Sequence, residues 1–184
     1  MKNILLYLSA FIPMYVLVFI KQMVDMIIGA SKASVYNFIV LAFLVVLVVL
    51  GAVGLILELS NKSQKMIKIK IICKKNTTDE HFLGYFSLFV LFAISFNLTR
   101  LSMFIIFVLI LVMIGVVYVK NKLFYINPLL NLLGYNFYDI NYVLDSGEEQ
   151  TTKIFFKGDL LLNKEYFVKI KDENFSFVDN KRKK

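Results

Sequence analysis

The chain has 184 residues, 59% of them hydrophobic, with 21 Lys and Arg against 13 Asp and Glu, and a mean hydropathy of +0.71. Soluble domains run at roughly 45–50% apolar residues, so this composition excludes an ordinary soluble fold and leaves a membrane bundle with at most one small appended domain. A single cysteine, Cys73, and a single histidine, His81, exclude an intrachain disulfide and a His/Cys metal cluster within one chain.

Taken in chain order, the first apolar run covers residues 4–20 and reaches the lower bound of about 17 residues for a membrane crossing. No clean Ala-x-Ala site follows it, so it reads as a retained signal anchor. Pro13 lies inside it and predicts a kink. Lys21 and Asp25, one turn apart on one face, and Glu58 further on stand at span ends, where interfacial anchoring is the simplest role. Residues 35–57 form the clearest span, free of charge until Glu58. Residues 82–98 form a third, preceded by Thr77 and Glu80 at capping-box spacing. Residues 101–119 form a fourth, and the short link at 97–100 makes the last two an antiparallel hairpin.

Orientation follows from the short-loop cations, which are retained on the cytoplasmic side. Lys2, Lys62, Lys65, Lys68, Lys70, Lys74, Lys75, Lys120 and Lys122 share one side, against Lys21, Lys32 and Arg100 on the other. Both termini are therefore expected in the cytoplasm, with the chain a multi-pass protein of a bacterial inner membrane. Without Trp, the aromatic belts fall to tyrosine: Tyr7, Tyr36, Tyr85, Tyr118 and Tyr125 lie near predicted interfaces.

The loop 58–81 holds Met66-Ile67-Lys68-Ile69-Lys70-Ile71, an apolar/basic alternation of period two that reads as a half-buried strand. After Lys122, Asn127 suits a cap, Pro128 a first helical position and Gly134 a stop, predicting a short interfacial helix. From Phe137 onward, short runs at 137–144, 153–157, 160–162, 166–171 and 175–178 alternate with turn formers, as in a meander or partial barrel. About 50 residues make a marginal domain, so this unit is expected to borrow a strand from the loop 58–81 or from a neighbouring subunit. The expected fold is a four-transmembrane-helix bundle over residues 1–122, then an interfacial helix and a small antiparallel β cytoplasmic domain over residues 123–184.

The middles of the spans lack ionisable side chains, the usual material of proton relays and ion pathways, which argues against a secondary transporter. Gly51, Ala52 and Gly54 leave one face of the second span small enough for close approach by a helix, either within the chain or in an assembly seam. Lys65, Lys68, Lys70, Lys74 and Lys75 set topology and attract anionic headgroups at about 1 kcal/mol per cation, or else dock a cytoplasmic partner. No aromatic stacking platform accompanies them, so no direct nucleic-acid contact is expected. Cys73 has no evident His or carboxylate partner and reads as inert. Walker, dinucleotide, nucleophile-elbow and zincin motifs are all absent, so neither an enzyme nor a cofactor is expected.

The segment from Tyr125 to Tyr135, with its Asn127-Pro128 and Gly134-Tyr135 pairs, runs through Asn136-Phe137-Tyr138-Asp139 into the β tail. On this segment and the four-span layout, the chain resembles the KwaA family, membrane subunits of Kiwa anti-phage defence systems. The resemblance implies a homo-oligomeric inner-membrane sensor that responds to phage and works with a cytoplasmic, DNA-binding KwaB-like effector. It carries no catalytic motif. A competing expectation is an oligomeric pore or membrane-disrupting effector, with Ser87, Ser95 and Asn97 lining a water path.

Overall fold

The structure is a computed structural model that describes residues 2–29, 34–60, 66–121, 123, 127–144, 147–172 and 175–179. Contacts divide the chain into a helical unit, Met1–Ser60 with Leu83–Leu129, and a strand-rich unit, Asn61–Phe82 with Leu130–Lys184. The loop between the second and third apolar runs thus belongs with the C-terminal tail, not with the helices that flank it.

In the helical unit, α1 (Lys2–Ala10) and α2 (Ile12–Ile27) are bent by 51° at Phe11. Pro13 is the cause. It lacks an N–H, and its ring would collide with the Ser9 carbonyl four residues back. The chain opens at Phe11, whose N–H reaches only the Leu8 carbonyl, and the α-helical ladder restarts with Tyr15 N–H on the Phe11 carbonyl at 3.0 Å. Next comes α3 (Val35–Leu59), started by Ser34, whose Oγ accepts from Asn37 N at 3.3 Å. Then come α4 (Thr78–Ser95) and α5 (Leu101–Lys120).

Two of these helices, α3 and α5, are long and apolar enough to cross a membrane, and the bent pair α1–α2 makes a third if it counts as one span. Among the described residues, the expected four-span bundle is thus met in two spans, or in three with the bent pair. The apolar part of α4, Phe82–Ser95, stops short of the expected residue 98; at 1.5 Å per residue it covers about 21 Å of a hydrocarbon core of about 30 Å. It stops because Asn97 folds the chain into a turn, its Oδ1 accepting from Thr99 N at 3.2 Å. The start of α4 also departs from the expected capping box. Asn76 Oδ1 takes the Thr78 N–H at 3.0 Å, while Thr77 Oγ1 is buried without a hydrogen bond.

The strand-rich unit is a closed barrel in the order β1-β2-β3-β5-β4, formed by β1 (Met66–Asn76), β2 (Tyr135–Leu144), β3 (Glu149–Lys157), β4 (Glu165–Asp172) and β5 (Phe175–Asp179). The long β1 belongs to both walls. Its first half pairs with β4, Met66 opposite Lys169 through Lys70 opposite Glu165, and its second half with β2, up to Asn76 opposite Tyr138. A register shift between Ile71 and Cys73 turns the strand from one wall into the other. All neighbours are antiparallel except β3 and β5, which run parallel, so the expected antiparallel unit is corrected at that pair. Five strands in this order form a small Greek-key barrel of OB type. The run 160–162 is not a strand: Leu160 plugs the barrel and the chain turns at Asn163, whose positive φ of 59° asparagine tolerates.

Period-two alternation fills the barrel. Ile69 and Ile71, Tyr138, Ile140 and Tyr142, Ile154 and Phe156, and Tyr166 and Val168 point inward around Leu160. Tyr142 gives its hydroxyl proton to Gln150 Oε1 at 2.8 Å. Burial raises the phenol pKa of Tyr138 and of Tyr142 above the ordinary value of about 10. The unfolded chain ionises these phenols first, so barrel stability is complete below about pH 10 and falls as pH rises from there towards the folded values. Denaturant unfolding followed by tyrosinate absorbance checks this, and Tyr142→Phe makes the alkaline loss shallower.

Candidate functional site

Gly51 and Gly54 stand on the face of α3 that receives α1. A Cβ added at Gly51 would lie 2.9 Å from the Leu8 carbonyl oxygen, and one at Gly54 would lie 2.5 Å from Leu5 Cβ. The small face seen in the sequence is thus the seat of α1 within the same chain. On its other side α1 meets α5: Gly115 makes room for the Tyr7 ring, 3.0 Å from a Cβ placed there, and the Tyr7 hydroxyl donates to the Leu111 carbonyl. Tyr7 and Tyr118 are buried with ring centroids 5.4 Å apart, so these two pack inside the unit and are not free belt residues. Lys21 Nζ donates to the Phe96 carbonyl at 2.8 Å, a cation on the last carbonyls past α4. Ser87 Oγ returns to the Leu83 carbonyl at 2.7 Å. Ser87 and Asn97 therefore spend their polar groups locally, which weakens the expected water path.

The segment after α5 adds a contact that the sequence does not announce. Asn127 Oδ1 accepts from Leu129 N at 3.1 Å, starting α6 (Pro128–Leu132), and Gly134 ends that segment with φ of 82°. The same amide donates from Nδ2 to Ser9 Oγ at 2.9 Å, with both side chains buried. One side chain thus ties the start of α6 to α1. Asn127→Ala is expected to destabilise the helical unit by about 1–3 kcal/mol, since it removes a cap and a buried hydrogen bond to Ser9, whose hydroxyl keeps only its own bond to the Leu6 carbonyl at 2.7 Å. Asn127→Ser keeps the cap and recovers part of the loss. Thermal unfolding of the three proteins in detergent checks the order.

In the barrel, the candidate lysines of β1 do not form one surface. Lys65 lies outside the described residues. Lys68 pairs with Glu165 at 2.9 Å on the neighbouring strand, Lys70 is exposed, and Lys75 stands in register with Asp139, which stands in register with Lys153. That row alternates cation, anion, cation across three strands. Lys74 is displaced by the bulge. Its Nζ donates to the Leu160 carbonyl and sits 5.9 Å from the Tyr138 ring centroid, so it helps close the barrel. The same bulge leaves Ile72 and Cys73 both exposed.

A family model described as anti-phage protein KwaA matches residues 2–177. The chain belongs to the KwaA family. Its role is therefore in anti-phage defence, as the segment from Tyr125 to Tyr135 implies. Comparisons with curated proteins and with solved structures find no match. In this KwaA chain the structure brings together Gly51, Gly54 and α1, and separates the β1 lysines into outward Lys68, Lys70 and Lys75 and inward Lys74. Sequence reasoning missed Ser9 and Gly115. A glycine in an otherwise bulky apolar run is the signal that marks Gly115; nothing local marks Ser9.

Proposed function

We propose that this KwaA chain is the membrane-embedded sensor and scaffold of its defence system, a homo-oligomer that does no chemistry itself and recruits a cytoplasmic KwaB-like effector to the inner membrane. The observation that carries the reading is the composition of the barrel. Strand β1 precedes α4, strands β2 to β5 follow α5, and all five close one barrel.

If α5 crosses the bilayer, the chain must cross once more between β1 and β2 for both to reach the same side. This supports α4 as the returning partner of α5 despite its short apolar stretch, helped by bilayer thinning, which costs fractions of a kcal/mol per Å. It also supports a topology with the barrel on the cation-rich, cytoplasmic side. A rearrangement of α4 and α5 in a disturbed membrane then acts on β1, which runs straight into α4, and through α6 on β2, and alters the surface offered to a partner. The face of β2 and β3 supports a protein partner better than a nucleic acid, because Phe137 and Phe155 are buried and leave no exposed stacking platform there.

The test is an affinity pull-down of the full chain from its native operon in mild detergent. A soluble partner that co-purifies, and is lost when the residues after Leu133 are deleted, is the expected result. A partnerless homo-oligomer overturns the scaffold reading.

A further inference from the structure

The helical unit contains a groove of about 640 Å³ walled by α1, α3 and α5. Its lining runs from Phe43, Leu47 and Val108 at one end to Ile4, Val119 and Lys120 at the other. The walls are almost wholly hydrocarbon, because the nearest buried hydroxyl, that of Tyr7, is spent on the Leu111 carbonyl. Rim residues Ile4, Val112 and Val116 are 55%, 58% and 61% exposed, so the groove opens sideways.

We infer that this groove is a binding site for one acyl chain of an anionic phospholipid, with the headgroup at Lys120. This rests on the reading that α3 and α5 cross the bilayer. Length, volume and charge agree. From Val108 to Lys120 the groove follows α5 for about 18 Å at 1.5 Å per residue, close to the roughly 15 Å of one leaflet of the hydrocarbon core. At about 30 Å³ for a water-sized group, it holds about twenty such groups, the size of one phospholipid chain. A helix from a second copy, about 10 Å across, would need about twice that volume over the same length.

Among the described lining residues, the charge is at one end only. Ile4 shares the groove's end with Lys120, so the N-terminus of α1, with its unsatisfied N–H groups and positive dipole end, is there too. Lys120 lies in the last turn of α5 and offsets that helix's negative end. Among the described lining residues, the far end offers Phe43, Leu47 and Val108 and no polar side chain to receive a headgroup. A lipid therefore enters with its phosphate at Lys120 and one tail along Leu8, Leu47 and Val112, and its second tail stays in the bilayer. A chain seated there packs against the same α1 that Gly51 and Gly54 hold to α3, so its loss loosens α1.

The experiment reconstitutes the full chain in vesicles of equal parts phosphatidylglycerol and phosphatidylcholine, extracts it in detergent and weighs retained lipid by native mass spectrometry. One phospholipid per chain is expected, with phosphatidylglycerol favoured about fivefold, the factor one surface cation contributes. Lys120→Gln abolishes the preference but keeps a lipid. Val112→Trp fills the groove and removes retention, whereas Leu109→Trp, equally exposed but outside the lining, does not. The inference is overturned if retention is indifferent to headgroup and to Val112→Trp, or if the chain carries no lipid and purifies as a dimer sealed along α5. Alkaline carbonate separates the two readings: a chain released from membranes by it fails the spanning reading itself, whereas one that stays but holds no lipid fails only the groove.

Discussion

Gly54→Leu is expected to abolish the folded helical unit, and Gly54→Ala to cost it about 1–3 kcal/mol or more. A Cβ at this position meets Leu5 three times over, at 2.5 Å from its Cβ and 2.8 Å from its carbonyl carbon and oxygen. Two of the three atoms are backbone, so relief requires α1 as a whole to move off α3, and overpacking without room to relax costs that amount even for a single methyl. Within a bilayer, lipid is as apolar as the helix faces, so close approach through small residues supplies most of the association; pushing the helices apart forfeits it. The matching control is Gly84→Ala in α4. Nothing lies within 4 Å of a Cβ there, so replacing a mid-helix glycine is expected to gain up to about 1 kcal/mol. Membrane accumulation and thermal unfolding in detergent measure both. Wild-type stability for Gly54→Ala would mean that α1 does not rest on this face of α3.

Much of this was legible because it is local. A long apolar run forms a helix wherever it lies. Ser34 and Asn127 sit immediately before the helices they start, and Pro13 acts on its own turn. The alternation in Met66–Ile71 and in Tyr166 and Val168 survives because one face of each strand must be buried. What was not legible depends on distance or on a single shifted residue. Asn127 finds Ser9 across 118 positions, and no periodicity encodes that. The bulge at Ile71 to Cys73 reverses the alternation after it, which moves Lys74 inward against the reading that grouped it with Lys70. The run 160–162 has strand composition, but the turn at Asn163 and its N–H on the Ile71 carbonyl at 2.9 Å bind it to the bulge instead.

Ile71→Asp, a single change in the segment between α3 and α4, is expected to unfold the C-terminal barrel while the chain stays in the membrane. Ile71 is fully buried in the barrel core, opposite Tyr142 in register and in one cluster with Ile140 and Leu160. An unpaired carboxylate there costs several kcal/mol, as much as a small five-stranded barrel has to lose. The same logic predicts that residues 130–184 expressed alone remain unfolded, because β1 supplies pairing to both β2 and β4 and without it the barrel has two open edges. Register offers a constructive form of the test. Asn76 lies opposite Tyr138, and the Thr77 N–H donates to the Phe137 carbonyl at 3.0 Å, so the end of β1 lies beside the start of β2 as the two arms of a hairpin do. Joining residues 66–77 to residues 137–179 through an Asn-Gly turn replaces the whole α4 to α6 insertion with the shortest favoured connection. That soluble protein is expected to show cooperative unfolding and slow amide exchange at Ile71, Ile140 and Ile154; failure to fold would mean that the helices hold the barrel together as well as divide its first two strands. If it folds, α4 to α6 are an insertion in a β-hairpin, attached to the barrel where the end of β1 lies beside the start of β2.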